Sequence, residues 1–111
     1  MSIRDLLLEY FSAFNEHNIN KILEFLHEDC RVIFNDQVVL QGIDAIRPTY
    51  EKDFLNPQTA VTLVEYTEDP ANPNCARVLL KLHDHRLIDV TYVFDPHGKK
   101  MVEHVIHSVK K

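Results

Sequence analysis

A chain of 111 residues and 13.0 kDa has room for one core and not two, so residues 1–111 read as a single domain. Its 45% apolar content is enough for a packed interior, while a formal net charge of −5 with no basic stripe repels phosphate and argues against nucleic acid as a partner. No apolar run nears the ~18 residues that cross a bilayer, which argues against a membrane partner. Arg4 and Asp5 are followed only by Leu6-Leu7-Leu8 before Glu9, so no secretion signal is read. Cys30 and Cys75 stand too far apart for a C-x-x-C pair, and two reduced thiols, a cytoplasmic location, no metal and no cofactor are expected.

Ile3, Leu6, Leu7, Tyr10, Phe11 and Phe14 recur at helical spacing, with Ser2 and Asp5 forming a capping-box-like start. Asn15 to Asn18 breaks this helix, and Ile19, Ile22, Leu23 and Leu26 continue the period in a second one capped by Asn18. Arg31 to Phe34 and Val38 to Gln41 then read as strands around an Asn35-Asp36 turn. Gly42 opens a third helix with Ile43, Ile46, Tyr50 and Phe54 on one face. Pro48 predicts a kink there, or a separate first turn ahead of it. Four strands follow, at about 59–68, 76–83, 87–95 and 100–108, with turns at Asp69–Asn74 and Asp95-Pro96-His97-Gly98 and a polar break near Asp84-His85-Arg86. Helices followed by a meander predict an α+β domain with the helices on one side of a curved antiparallel sheet.

Three stretches, Tyr10-Phe11-Ser12-Ala13-Phe14-Asn15, Leu26-His27-Glu28-Asp29-Cys30 and Gly42-Ile43-Asp44-Ala45-Ile46, carry a resemblance over nearly the whole chain. In order and spacing the sequence resembles the nuclear transport factor 2-like superfamily, with its SnoaL-like and ketosteroid-isomerase-like branches. The resemblance implies a cone-shaped sheet wrapped around three N-terminal-half helices, a central pocket, and often a homodimer through the outer sheet face. That fold hosts isomerases, dehydratases, cyclases, hydrolases and silent binding or assembly modules, so it implies no single activity.

Isomerase chemistry of this type needs a carboxylate base and two oxyanion donors, a tyrosine and a protonated carboxylic acid. Tyr10 stands where the resemblance puts the tyrosine donor. Phe34 occupies the base's place and Val90 the second donor's, so ketosteroid isomerisation is not implied. Asp36, in the nearby turn, is the nearest replacement for the base.

The last strand offers another pair. In the favoured register Glu103, Val105 and His107 face inward and Val102, His104 and Ile106 outward. A glutamate and a histidine on one strand face, at about 7 Å per two-residue step, could then share proton transfer. The opposite register exchanges the faces. His83-Asp84-His85 has metal-like spacing but no third ligand, and reads as a polar hairpin. His17, His27 and His97 sit at helix ends or in a turn, where solvated or capping roles are expected, and His104 is assigned to a dimer contact. The outward set Leu79, Leu87, Val93, Val102 and Ile106, rimmed by Arg77, Lys81 and Asp89, predicts a homodimer that buries it.

The expected function is a pocket for a hydrophobic or aromatic small molecule, lined by Phe14, Val32, Phe34, Tyr50, Phe54, Val90, Tyr92, Phe94 and Val105. The catalytic reading is a lyase or isomerase with Glu103 or His107 moving protons and Tyr10 donating. The alternative is a silent ligand-binding or dimeric assembly module of the same fold.

Overall fold

The computed structural model describes residues 2–97 and 99–111, so Gly98 of the expected last turn lies outside the described residues. Three helices, α1 (Ile3–Asn15), α2 (Ile19–Glu24) and α3 (Ile43–Asp53), fall in the N-terminal half. Six strands complete the fold: β1 (Leu26–Phe34), β2 (Gln37–Gln41), β3 (Val61–Asp69), β4 (Asn72–Leu82), β5 (Leu87–Phe94) and β6 (Met101–Lys110).

Helix α1 begins on the expected capping box: Asp5 N donates to Ser2 Oγ at 3.1 Å and Ser2 N donates to Asp5 Oδ2 at 3.4 Å. Its stripe of Ile3, Leu7, Tyr10 and Phe11 is buried. Asn15, which breaks the helix, also clasps the sheet. Its Nδ2 donates to Val61 O at 3.0 Å and its Oδ1 accepts from Val61 N at 2.8 Å, satisfying the backbone where β3 begins. His17 is more than a solvated terminus, because its Nε2 donates to Thr59 O at 2.7 Å and its ring stacks on Phe54 at 4.5 Å. Asn18 caps α2 through Lys21 N at 3.2 Å.

Leu26, read as the end of the second helix, instead opens β1. Met101 N donates to Phe25 O at 2.8 Å and Leu26 pairs with Met101, so the sheet takes over the backbone there. Helix α3 runs unbroken through Pro48, without the expected separate first turn. Asp44 and Pro48 are both exposed, so the carbonyl that the proline leaves without a partner can be hydrated.

The sheet order is β2-β1-β6-β5-β4-β3. Neighbours are antiparallel except β1 and β6, which run parallel, so the sheet is mixed rather than purely antiparallel. It is curved and unclosed, with β2 and β3 at its edges. Asn35 and Asp36, at φ 52 and 61, form the tight turn between β1 and β2 that their residue types favour. The helices cover the inner face, where Ala76, Val78, Leu80, Val90, Tyr92, Phe94 and Met101 join the α1 stripe in one core. Each fully buried side chain of Leu7, Ile22 or Leu26 size contributes about 1.5–3 kcal/mol.

Strand β6 corrects the favoured register. Val93 pairs with Glu103 and Phe94 with Met101, so Val102 is skipped; Asp89 pairs with Ser108 and Val90 with Ile106, so His107 is skipped. The two bulges reset the alternation. Met101, His104 and Ile106 face the core, while Glu103, Val105 and His107 face the outer surface. Burying Met101 and Ile106 in place of an ionised glutamate is also the favourable choice. Glu103 pairs with Arg31 on the outer face, and His107 Nε2 lies 2.7 Å from Thr91 Oγ1.

Candidate functional site

Between α1, α3 and the inner sheet face lies a cavity of about 360 Å³. Its walls are mostly apolar, from Val32, Leu40, Ile46, Leu80, Ile88 and Ile106. Apart from Thr49, whose hydroxyl is turned back onto Ile46 O, the polar groups fall in two places: a buried cluster at the closed end, and two charges at the mouth.

The closed end is built on Tyr10. Helical spacing turns its ring inward, where it meets Phe11, Phe25, Tyr92 and His104 edge-on at centroid distances of 5.5–6.1 Å. Its hydroxyl is 2.5 Å from that of Tyr50, delivered by α3. Tyr10, Tyr50 and Tyr92 are all buried, and burial raises each phenol well above its ordinary value, with the Tyr50 hydroxyl adding to the effect on Tyr10 and the Tyr10 hydroxyl to that on Tyr92. All three are neutral donors at physiological pH. His104 completes the cluster. Burial pushes its imidazole down to about 4, so it is neutral as well, with Nε2 3.2 Å from Met101 Sδ. Cys30 is buried nearby, and desolvation followed by the charge of Glu103 raises its thiol to about 12, which makes it inert.

The mouth carries Asp53, at the last position of α3, and Arg86, from the β4–β5 turn. Asp84 holds Arg86 in place: its Oδ1 accepts from Arg86 N at 3.2 Å and its Oδ2 from Arg86 Nε at 2.7 Å. Burial raises the Asp53 carboxyl, and the positive charge of Arg86 opposes the shift.

Of the side chains expected to line a pocket, Phe14, Val32, Tyr50, Val90 and Tyr92 do so together with Tyr10. Phe94 lies in the core, Phe54 packs on Phe14 and His17, and Val105 faces outward, so these three and Phe34 are not on the cavity wall. Asp36 is exposed in its turn, away from the cavity. Glu103 and His107 are not brought to the cavity, and His104, expected in a dimer contact, is inside it. Among the described residues no group of three metal-ligating side chains forms, at His83-Asp84-His85 or elsewhere. Sequence reasoning missed His104, Asp53 and Arg86. The one available signal was the three-residue step from Tyr50 to Asp53, which sets both on the same side of α3.

An α+β cup whose apolar cavity ends in tyrosine hydroxyls defines the class. Within it, the chain belongs to the SnoaL-like domain family, whose sequence model matches residues 7–107. No functionally curated protein matches the sequence. Solved structures similar to it include a SnoaL-like protein of unknown function from Burkholderia thailandensis, 15% identical, with 95% of this chain and 92% of that one aligned at a TM-score of 0.80. The epoxide hydrolase/cyclase-like enzyme SalBIII, described for pyran ring formation in the polyether salinomycin, is also 15% identical, with 95% and 88% aligned at 0.79. A de novo designed protein with a curved β-sheet aligns over 96% and 87% at 0.73, with 17% identity. That a designed chain matches so well shows how far this likeness concerns fold alone.

Proposed function

We propose that this SnoaL-like domain binds a hydrophobic or aromatic small molecule carrying a carbonyl or similar oxygen, and moves a proton on it as an isomerase, cyclase or lyase. The observation that carries this reading is the Tyr10–Tyr50 hydroxyl pair at the end of an apolar cavity of about 360 Å³. The Tyr10, Tyr50 and Tyr92 hydroxyls carry three protons and share two hydrogen bonds, both through Tyr10, which leaves one proton of the cluster for a ligand oxygen. A donor held in a dry, low-dielectric site stabilises charge that develops on that oxygen far better than water does. The neighbour SalBIII, by its description a cyclase-like enzyme, supports the reaction class.

Acetophenone and ethylbenzene, nearly equal in shape, test the reading. Acetophenone is expected to bind about tenfold more tightly, and Tyr10→Phe to remove that advantage while leaving ethylbenzene unchanged. Equal affinities for the two probes in the unsubstituted protein would sink the oxygen-binding role.

The domain acts as a homodimer joined through the outer sheet face. Ile33 and Val105 are paired neighbours there, with Val93 and Leu79 further along and Val38 48% exposed at the edge, an apolar set that monomers seldom leave in water. Val105 takes the place expected of Ile106. Val105→Asp is expected to convert the sedimentation-equilibrium mass from twice 13.0 kDa to 13.0 kDa; a monomeric parent protein would refute the dimer. The free thiols of Cys30 and Cys75 support a reducing, cytoplasmic compartment.

A further inference from the structure

We infer that Asp53, at the cavity mouth beside Arg86, is the general base of this site, and that its substrate is a carbon acid whose ionisable C–H lies on the mouth side of the oxygen held by Tyr10. The inference rests on the cavity reading above and assigns the proton acceptor that reading leaves open.

The geometry carries it. Proton transfer needs an acid–base group that reaches the bound molecule. Asp53 is the one carboxylate on the cavity wall among the described residues. No hydrogen bond or ion pair to its carboxylate forms among them, although Arg86 shares the mouth. The Nε edge of Arg86 is taken by Asp84, which fixes the guanidinium without drawing it onto Asp53. Every other acidic side chain forms its ion pairs elsewhere or lies off the cavity wall. The tyrosines are poor proton acceptors, and His104 at about 4 is a weak base buried against Met101.

The groups that set the charge of Asp53 are few. Arg86 and His83 act from the β4–β5 turn and Lys52 from the adjacent position on α3, while Tyr50 lies one turn back. Burial favours the protonated carboxyl; Arg86 first, then Lys52 and His83, favour the carboxylate. These opposed influences act on a carboxylate that lines the cavity and is open to solvent at the mouth, so a proton it takes from a bound molecule can be passed to water.

Nitrobenzisoxazole, a flat apolar carbon acid, is a suitable probe because its ring opening needs only a base. The Asp53 carboxylate takes the ring C–H proton and the C–H electron pair becomes the third bond of a nitrile. The N–O bond breaks, its electron pair goes to the phenolate oxygen, and Asp53 later returns the proton to water. Release of the coloured cyanonitrophenolate reports the rate. The unsubstituted protein is expected to open the ring about a hundredfold faster than Asp53→Asn. Its rate should rise with pH through an inflection above the ordinary aspartate value, and Arg86→Leu should move that inflection higher. Entry of the probe is followed separately through the ring signals of Tyr10 and Tyr92. A probe that enters but opens equally fast in the unsubstituted protein and Asp53→Asn overturns the role of Asp53 alone. A probe that leaves those signals unmoved overturns the cavity reading and this inference with it.

Discussion

Tyr10→Ala is expected to lower the unfolding free energy by about 3–5 kcal/mol, whereas Tyr10→Phe should lower it by about 1 kcal/mol. The ring is buried to 4% exposure and touches four other rings, so its removal leaves a void that rigid neighbours cannot collapse into. Phenylalanine keeps those contacts and deletes only the hydroxyl bonded to Tyr50. The pair of variants therefore separates packing from chemistry. Loss of ketone selectivity in a well-folded Tyr10→Phe protein belongs to the hydroxyl and not to a damaged core. Urea midpoints measure both values, and equal destabilisation by the two substitutions would contradict the division.

The second large effect is a loss of stability in acid through His104. Its folded value of about 4 lies below the ordinary 6.5, so the unfolded chain takes up a proton that the folded protein refuses. Stability is then fully present above about pH 6.5 and falls as pH drops towards 4, by about 3 kcal/mol over that window. His104→Gln, which cannot take the proton, should flatten this limb of the stability–pH curve. Denaturant melts at several pH values read it directly; an unchanged acid limb in the variant would show that His104 does not carry it.

Much of the fold is legible in the residues because periodicity is a strong signal. The α1 stripe, the Asn18 cap, the Asn35-Asp36 turn and the later strands follow from side-chain spacing and turn chemistry. The parallel pairing of β1 and β6 was not legible, since Arg31 to Phe34 reads the same whichever direction its neighbour runs. The face of β6 was lost for a different reason. Its bulges fall at Val102 and His107, and no glycine or proline marks either one. Two unmarked shifts moved Glu103 and His107 outside and brought His104 and Ile106 inside.

The site was half legible for the same reasons. Tyr10 lies in a regular helix and its inward direction follows from the period, as does that of Tyr50. Their meeting depends on how α1 and α3 pack across forty residues of chain, which no local pattern encodes. Asp53 and Arg86 sit in polar helix-end and turn segments, where charge ordinarily means solvation, and only the packed cavity gives them another meaning.

What occupies the end of the cavity decides whether Tyr10 serves as an oxygen-binding donor. A crystal structure of the acetophenone complex is the most direct test. The phenyl ring is expected between Val32, Val90 and Ile106, with the ketone oxygen within hydrogen-bonding distance of Tyr10 Oη. A ketone seated only on the protein surface at saturating concentration, or one whose oxygen points away from Tyr10 towards the mouth, would contradict it.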